Sequence, residues 1–390
     1  MNILVLTTSY PENEKDFSGI FIKNFISELP QQVQVTVCTP QKNQTHRDEI
    51  DGHIRVRRYH YWLPFNKEIL MQEGGIVSNL KKSFAAKIQL IPFVFFSVLY
   101  AIKYSKNQDI IHAHWVLGAI QARILHFLKK TPYILTVHGT DAEIMKNSIL
   151  VRTIMKGILL KASKVICVSS FLKKEVSRIS PNANVCVYPN GVGGVEKLFH
   201  ITRNPVSKNP AKFLYVGRLS EEKNILWLIN GFRLIKKTFN GIHLSIVGSG
   251  SLENKIKNFI KKSNLENNID LIGPVPPHEI SKCYQNADIF ILPSLREGFG
   301  VVLIEAMAAG LPVIASNVGG ITDIIEDAKS GLFIDPKDVK TLEAAVNALY
   351  LDSNKRYEMG VRGRRLVEKK YMWKNIALNI YNNIYLKTSG

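Results

Sequence analysis

The chain reads as short apolar runs separated by stretches whose apolar positions recur at helical spacing. In the first half the runs cover residues 3–8, 33–38, 109–112, 133–137, 164–168 and 185–188. They are rich in β-branched residues and apolar at successive positions. That pattern marks strands buried on both faces, hence a parallel sheet covered by helices. It restarts at residues 212–216, 243–247, 269–272, 287–292, 312–315 and 331–334. Between the two series, residues 191–211 carry Gly191, Gly193, Gly194, Pro205 and Pro210 and no apolar periodicity, as a linker does. The expectation is an α/β chain of two Rossmann-like domains: residues 1–195, a linker at 196–210, and residues 211–369, with an amphipathic helix near 373–386. A length of 390 residues suits this, since a domain takes about 150.

Ligands of open parallel sheets bind beyond the carboxyl ends of the strands, and two such domains in series put the default site in the cleft between them. The loops that follow strands are therefore where chemistry is sought. Pro293-Ser294-Leu295-Arg296-Glu297-Gly298-Phe299-Gly300 follows one predicted strand and opens a helix containing Glu305. Gly298 and Gly300 let the backbone approach a ligand closely. A helix start there offers N–H groups to phosphate or sugar hydroxyls. Glu297 and Glu305 lie eight positions apart, roughly 12 Å along a continuous helix, which suits hydroxyls at two ends of a ligand and leaves a glycosidase-like pair open.

A second cluster, Gly217-Arg218-Leu219-Ser220-Glu221-Glu222-Lys223-Asn224, follows the first strand of the second series. Arg218 and Lys223 flank a turn before a helix expected at residues 224–236, a fitting place for a diphosphate. In the first domain, His138-Gly139-Thr140-Asp141 and His112-Ala113-His114-Trp115 both follow strands, and Ser18-Gly19 opens a helix expected at residues 20–29. A metal site is not expected: His112 and His114 have no Cys or acidic neighbour at ligand spacing, and Asp-x-Asp occurs nowhere. Gly248-Ser249-Gly250 is followed by Glu253, so the dinucleotide fingerprint is incomplete.

Composition changes the picture in three respects. Lys and Arg number 51 against 32 Asp and Glu, a net charge of +19 spread over both halves. Such an excess fits a phosphorylated or polyanionic partner or an anionic membrane face; a compositional bias toward Lys, Asn and Ile explains it equally. Residues 55–100 combine Arg55, Arg57, Arg58, Lys81, Lys82 and Lys87 with Trp62, Phe65 and Phe84, and residues 146–178 are strongly basic; both stretches suit anionic headgroups or a plain solvated face. Cys38, Cys167, Cys186 and Cys283 are far apart and read as buried free thiols of a reducing compartment. Met1–Leu6 has no basic flank and reads as a core strand rather than a signal peptide. The longest apolar run, residues 88–102, is interrupted by Gln89, Pro92 and Ser97 and is shorter than the about 20 residues a bilayer requires, so no spanning helix is expected.

Together these clusters resemble the GT-B-fold retaining glycosyltransferases of the family 4 type (glycosyl transferases group 1). The likeness is carried, in order along nearly the whole chain, by Ser18-Gly19, His114, His138 to Asp141, Gly217-Arg218 with Glu222-Lys223-Asn224, and Glu297 to Gly300 with Glu305-Ala306. The resemblance implies a nucleotide-sugar donor whose diphosphate is held by Arg218 and Lys223 beside Gly217. It implies ribose bonded to Glu305, the hexose on Glu297 and the backbone of Gly298, Phe299 and Gly300, and a base near Val275. His138 would face the reacting sugar and Gly19 the phosphates or acceptor. Ser18, His114 and Asp141 would lie on the acceptor side. The loop before the first helix departs from the group's frequent Gly-Gly. The resemblance also suggests that residues 370–390 cross back onto the first domain.

Fixed cations and helix dipoles can stabilise a departing diphosphate without a metal or cofactor. Retention of configuration follows from the likeness alone, and without an obvious covalent nucleophile a same-face attack is the working expectation. The acceptor is expected to be a sugar or a lipid-linked or cell-surface polysaccharide precursor. The expected location is cytoplasmic, peripheral on the inner membrane face, and nucleic acid is not an expected partner. Two other readings share the pattern: a two-domain sugar-nucleotide epimerase, and a non-catalytic sugar-nucleotide-binding module.

Overall fold

A computed structural model of the chain describes residues 1–13, 16–42, 48–72, 75–193, 211–239 and 241–389. It divides into two compact units: unit 1 comprises Met1–Asn13, Phe17–Pro189 and Lys374–Gly390, and unit 2 centres on Asn190–Trp373. The linker expected at 196–210 lies outside the described residues.

Unit 1 is built from β1 (Asn2–Leu6), α1 (Ile20–Ser27), β2 (Gln34–Pro40), β3 (Glu49–Asp51), β4 (Ile54–Tyr59), α2 (Gly75–Lys82), α3 (Phe84–Tyr104), β5 (Ile110–His114), α4 (Trp115–Lys129), β6 (Tyr133–Val137), α5 (Gly139–Asn147), α6 (Ile149–Lys161), β7 (Lys164–Cys167), α7 (Ser170–Ile179) and β8 (Val185–Val187). Its eight-stranded sheet has the order β3-β4-β2-β1-β5-β6-β7-β8. Every pairing is parallel except β3 with β4. Unit 2 follows with β9 (Lys212–Val216), α8 (Ile225–Ile235), β10 (His243–Val247), α9 (Glu253–Lys262), β11 (Ile269–Gly273), α10 (Ile280–Gln285), β12 (Ile289–Leu292), α11 (Val301–Ala308), β13 (Val313–Ser316), β14 (Leu332–Ile334), α12 (Val339–Tyr350) and α13 (Ser353–Lys370). Its six strands are all parallel, in the order β11-β10-β9-β12-β13-β14. The chain ends with α14 (Trp373–Ile380), a π-helical stretch over Tyr381–Tyr385 and α15 (Leu386–Ser389).

The apolar runs become the central strands because they can be covered on both sides: Ile3, Leu4, Val5, Ile110, Ile111, Ile289, Phe290 and Ile291 are each fully enclosed. Each sheet reverses its strand order once, between β1 and β5 in unit 1 and between β9 and β12 in unit 2. Such a switch point splays the loops at the strand ends and makes room for a ligand.

The structure corrects several expectations. β3 and β4 form an antiparallel edge that the apolar pattern did not announce, because Arg55, Arg57 and Arg58 interrupt β4. Arg58 is not part of a basic surface: it is buried, with Nη2 donating to Pro11 O at 2.6 Å and Nε to Glu49 Oε1 at 3.1 Å. The apolar run expected at residues 88–102 is longer than that and unbroken by Gln89, Pro92 and Ser97: all three lie inside the 21-residue α3, which, against the expectation, is long and apolar enough to cross a membrane by length and composition. The cysteines are free, but only Cys38 and Cys167 are buried, Cys186 and Cys283 being half-exposed. The helix expected at residues 224–236 starts at Ile225, after a 3-10 turn over Glu221–Lys223 and a left-handed Asn224 with φ of 56°.

Candidate functional site

In unit 2 the loops after β9 and β12 converge. Tyr215, at the end of β9, donates its hydroxyl to Arg218 O at 3.0 Å, which shapes the turn from below. Leu295 N donates to Glu222 O at 2.8 Å and ties the two loops together. Asn224 Nδ2 donates to Pro336 O at 2.9 Å and fixes the start of α8. On this frame Lys223 Nζ donates to Glu297 Oε2 at 2.5 Å, with the two side chains only 13% and 15% exposed. Arg218 reaches outward and pairs with Glu222 at 3.0 Å. The hydroxyl of Ser220, in the same turn, is enclosed and has no hydrogen-bond partner. Two cations and an unspent hydroxyl thus share one short turn.

Gly300 caps α11 in the left-handed region, φ 102°, and as a glycine offers the helix start no cap side chain; no acidic residue lies in its first turn. The first N–H groups of a helix have no partner within it, and its dipole favours negative charge there. Phe299 contributes backbone alone, since its ring is buried against Tyr371. Glu305 stands just over one turn into α11; only part of the path from Glu297 is helical, so the expected 12 Å axial separation does not apply. Burial pushes the Glu305 carboxyl up to about 7, opposed by the Tyr284 hydroxyl, which donates to it at 2.8 Å. Val275 is half-buried in the loop after β11.

Sequence reasoning overlooked Gly319 and Gly320, in the loop after β13. Gly320 N donates to Glu297 O at 2.9 Å. A Cβ on Gly319 would stand 2.1 Å from Glu297 O, and one on Gly320 2.2 Å from Gly298 O. Their adjacency after a predicted strand was the available signal.

In unit 1 the loops after β1, β5 and β6 meet. Gly19, φ 71°, caps α1, and a Cβ there would stand 2.1 Å from Ser9 O. Ser18 precedes it. Phe21 in α1 lies against His138, ring centroids 4.9 Å apart, and Trp115 lies 5.1 Å from the same ring. His114 Nδ1 and His138 Nε2 are 3.1 Å apart, and His114 Nε2 is enclosed without a partner. Trp115 adopts φ of 60°, a conformation that bulky residues avoid unless the surroundings impose it. The sequence signal was too local to show that His112 joins this column: its ring stacks on His114 at 4.5 Å and bridges Tyr385 Oη at 2.6 Å and Thr136 Oγ1 at 2.7 Å. Tyr385 comes from the C-terminal segment, 273 positions away in sequence.

Burial lowers both His112 and His138 to about 3 and His114 well below its ordinary value, so all three rings are neutral near pH 7. Asp141 is buried and fully engaged by backbone: its carboxylate accepts from His138 N at 2.7 Å and Val116 N at 3.0 Å, joining the starts of α4 and α5. Burial still pushes it up to about 7. Its carboxylate is thus spent on the backbone at the two helix starts and is not exposed. Among the described residues, no group of three or more His, Cys, Asp or Glu could hold a metal ion.

Two doubly wound parallel units in one chain, each with polar loops at its switch point, match the architecture of the GT-B fold. Comparison with known proteins gives the same class. Residues 197–366 match the family described as glycosyl transferases group 1, and residues 18–193 match glycosyltransferase family 4. The chain is 32% identical over 278 residues to an uncharacterized glycosyltransferase of Methanocaldococcus jannaschii, covering 71% of this chain and 75% of that one. It is 29% identical over 294 residues to the capsular polysaccharide biosynthesis glycosyltransferase CapM of Staphylococcus aureus, covering 70% and 76%. The protein belongs to the group 1 glycosyltransferase family and is a transferase. Its fold is similar to that of sucrose-phosphate synthase from Thermosynechococcus elongatus, with a TM-score of 0.83 at 23% identity over 99% of this chain and 98% of that one. It is also similar to Anabaena HepE in complex with UDP and glucose, with a TM-score of 0.75 at 19% identity over 99% and 100%.

Proposed function

We propose that the protein is a retaining hexosyltransferase that takes a hexose from a nucleotide-diphosphate sugar and passes it to a lipid-linked or cell-surface polysaccharide precursor at the inner face of the membrane. The observation that carries this reading is the Lys223–Glu297 pair, largely enclosed beside Arg218, Ser220 and the glycine-capped start of α11. Relatives named for capsular polysaccharide and teichuronic acid biosynthesis support the acceptor class, and a fold neighbour in complex with UDP-glucose supports the donor class.

The donor's diphosphate takes Lys223 as its counterion, with Arg218 and the Ser220 hydroxyl as further donors. Lys223 then leaves Glu297, whose carboxylate accepts from hexose hydroxyls while the backbone of Gly298 to Gly300 lines the sugar. Glu305 accepts from the ribose. Val275 borders the base. The bond between sugar C1 and the phosphate oxygen breaks, and negative charge builds on the diphosphate, where the cations and the dipole of α11 stabilise it most. The acceptor oxygen bonds to C1 on the same face, and its proton passes to the departing phosphate oxygen. His138, neutral and held by Asp141, bonds to the donor sugar, with Gly19 close to the phosphates. These cations take the part a divalent ion plays elsewhere, so the transfer is metal-independent.

The test is a panel of nucleotide-diphosphate sugars assayed for acceptor-dependent release of nucleoside diphosphate, with and without EDTA. One donor should turn over with its anomeric configuration retained in the product and with EDTA neutral. Conversion of the donor without an acceptor would favour an epimerase, and binding without any turnover a non-catalytic module.

A further inference from the structure

α3 presents its apolar residues to the outside. Its buried stripe is Ala86, Gln89, Phe93, Ser97 and Ala101, so mostly small or polar residues meet the rest of unit 1. Its outward stripe is Phe84, Ile88, Ile91, Phe95 and Leu99, at helical spacing, with Phe84 77% and Ile91 78% exposed. A surface helix of a globular unit carries its apolar stripe inward. The layer continues sideways, α3 packing on α4 and α4 on α6. Phe127 and Leu128 on α4 and Ile149, Leu150 and Ile154 on α6 are exposed as well. A groove of about 400 Å³ lined by Ile120, Ile124, Ile154 and Leu160 extends the apolar surface between α4 and α6.

The charges on this layer have one sign. α2, α3, α4 and α6 contain no Asp or Glu. Lys81, Lys82 and Lys87 at one end of α3, and Arg152, Lys156 and Lys161 on α6, are all exposed. Apolar residues ringed by cations match an anionic lipid surface, whose acyl region accepts the rings and whose phosphates accept the lysines. A second copy of the chain would instead set like charges against each other. α3 is anchored to unit 1 through Phe93, packed against Tyr59 and Tyr61, so it lies along the bilayer surface.

We propose that unit 1 docks on an anionic membrane through the outer faces of α3, α4 and α6, with Phe84, Ile91 and Phe95 immersed at the headgroup boundary. This rests on the membrane part of the reading above and assigns it a face.

The experiment is co-sedimentation of the full chain with vesicles of phosphatidylcholine containing about one-third phosphatidylglycerol, at low and high salt. The wild type should pellet with these vesicles at least tenfold more than with pure phosphatidylcholine, and less at high salt. The triple variant Phe84→Ser, Ile91→Ser, Phe95→Ser should lose at least tenfold in partitioning, with its circular dichroism and nucleotide binding unchanged. Leu351→Ser, an exposed apolar residue of unit 2, should partition like the wild type. A triple variant that binds as the wild type does would overturn the assignment of the face and leave the membrane reading standing. A wild type that ignores anionic vesicles would end both. A dimer in light scattering that the triple variant dissolves, without vesicle binding, would reassign the face to self-association. Nucleotide binding in the same samples reports on the donor reading independently.

Discussion

Replacing Lys223 with Met leaves Glu297 with its charge, its enclosure and a long 3.5 Å contact from Ser294 Oγ. Two unit charges about 4 Å apart attract by about 4 kcal/mol at an effective dielectric of about 20. Immobilising a lysine side chain costs up to about 2 kcal/mol against that. The pair should therefore couple by about 2 kcal/mol, and Lys223→Met alone should cost about 3 kcal/mol, because one enclosed charge is left without its partner. Glu297→Gln in the same background removes that charge, and the double variant should cost about 2 kcal/mol less than the sum of the two single substitutions. The assay is hydrogen exchange in peptides spanning β9 and α8 across a urea series, which reads unit 2 separately from unit 1. Additive costs, with a coupling below about 0.5 kcal/mol, would refute the view that this pair is the electrostatic centre of unit 2.

Three other outcomes follow from the geometry. Gly319→Ala forces a Cβ to 2.1 Å from Glu297 O at a φ of 55°; it should lower unit 2 stability by about 1–3 kcal/mol and activity with it, and unchanged thermal unfolding would contradict this. Glu305 is raised to about 7 in the fold, so the folded state holds its proton over a range where the unfolded chain has lost it, and Glu305 costs stability increasingly as pH rises from about 4.5 to 7. The stability difference between Glu305→Gln and wild type should grow over that window by roughly 3 kcal/mol, and a flat difference would count against the burial argument. The buried histidines act with the opposite sign: His112 and His138 stay neutral down to about 3, while the unfolded chain protonates below about 6.5, so their contribution is complete above that pH and is lost as pH falls. His138→Asn should flatten the acid side of the unit 1 stability profile, and an unchanged slope would show that the ring is not kept neutral by the fold.

The sheets were legible in the chain because strands covered on both faces leave unbroken apolar runs, as at Ile289–Leu292. The loops of the candidate site were legible because glycine and charge cluster directly after those runs, at Gly217-Arg218 and Glu297-Gly298. β4 was hidden by arginines whose partners, such as Pro11 O for Arg58, lie far off in sequence. α3 was misjudged because Pro92 and Gln89 read as interruptions, whereas Gln89 faces inward and satisfies Lys67 O and Ile69 N. His112 and Tyr385 could not be joined from sequence, since only the folded C-terminal segment brings the phenol to the ring.

The central claim is that Lys223 and its turn hold the donor's diphosphate, and calorimetric titration of the preferred nucleoside diphosphate into wild type and Lys223→Met tests it most directly. Loss of a charge-assisted bond worth about 1.5–3 kcal/mol predicts a Kd weakened roughly tenfold to a hundredfold or more, with unit 1 unperturbed. An unchanged Kd would contradict it.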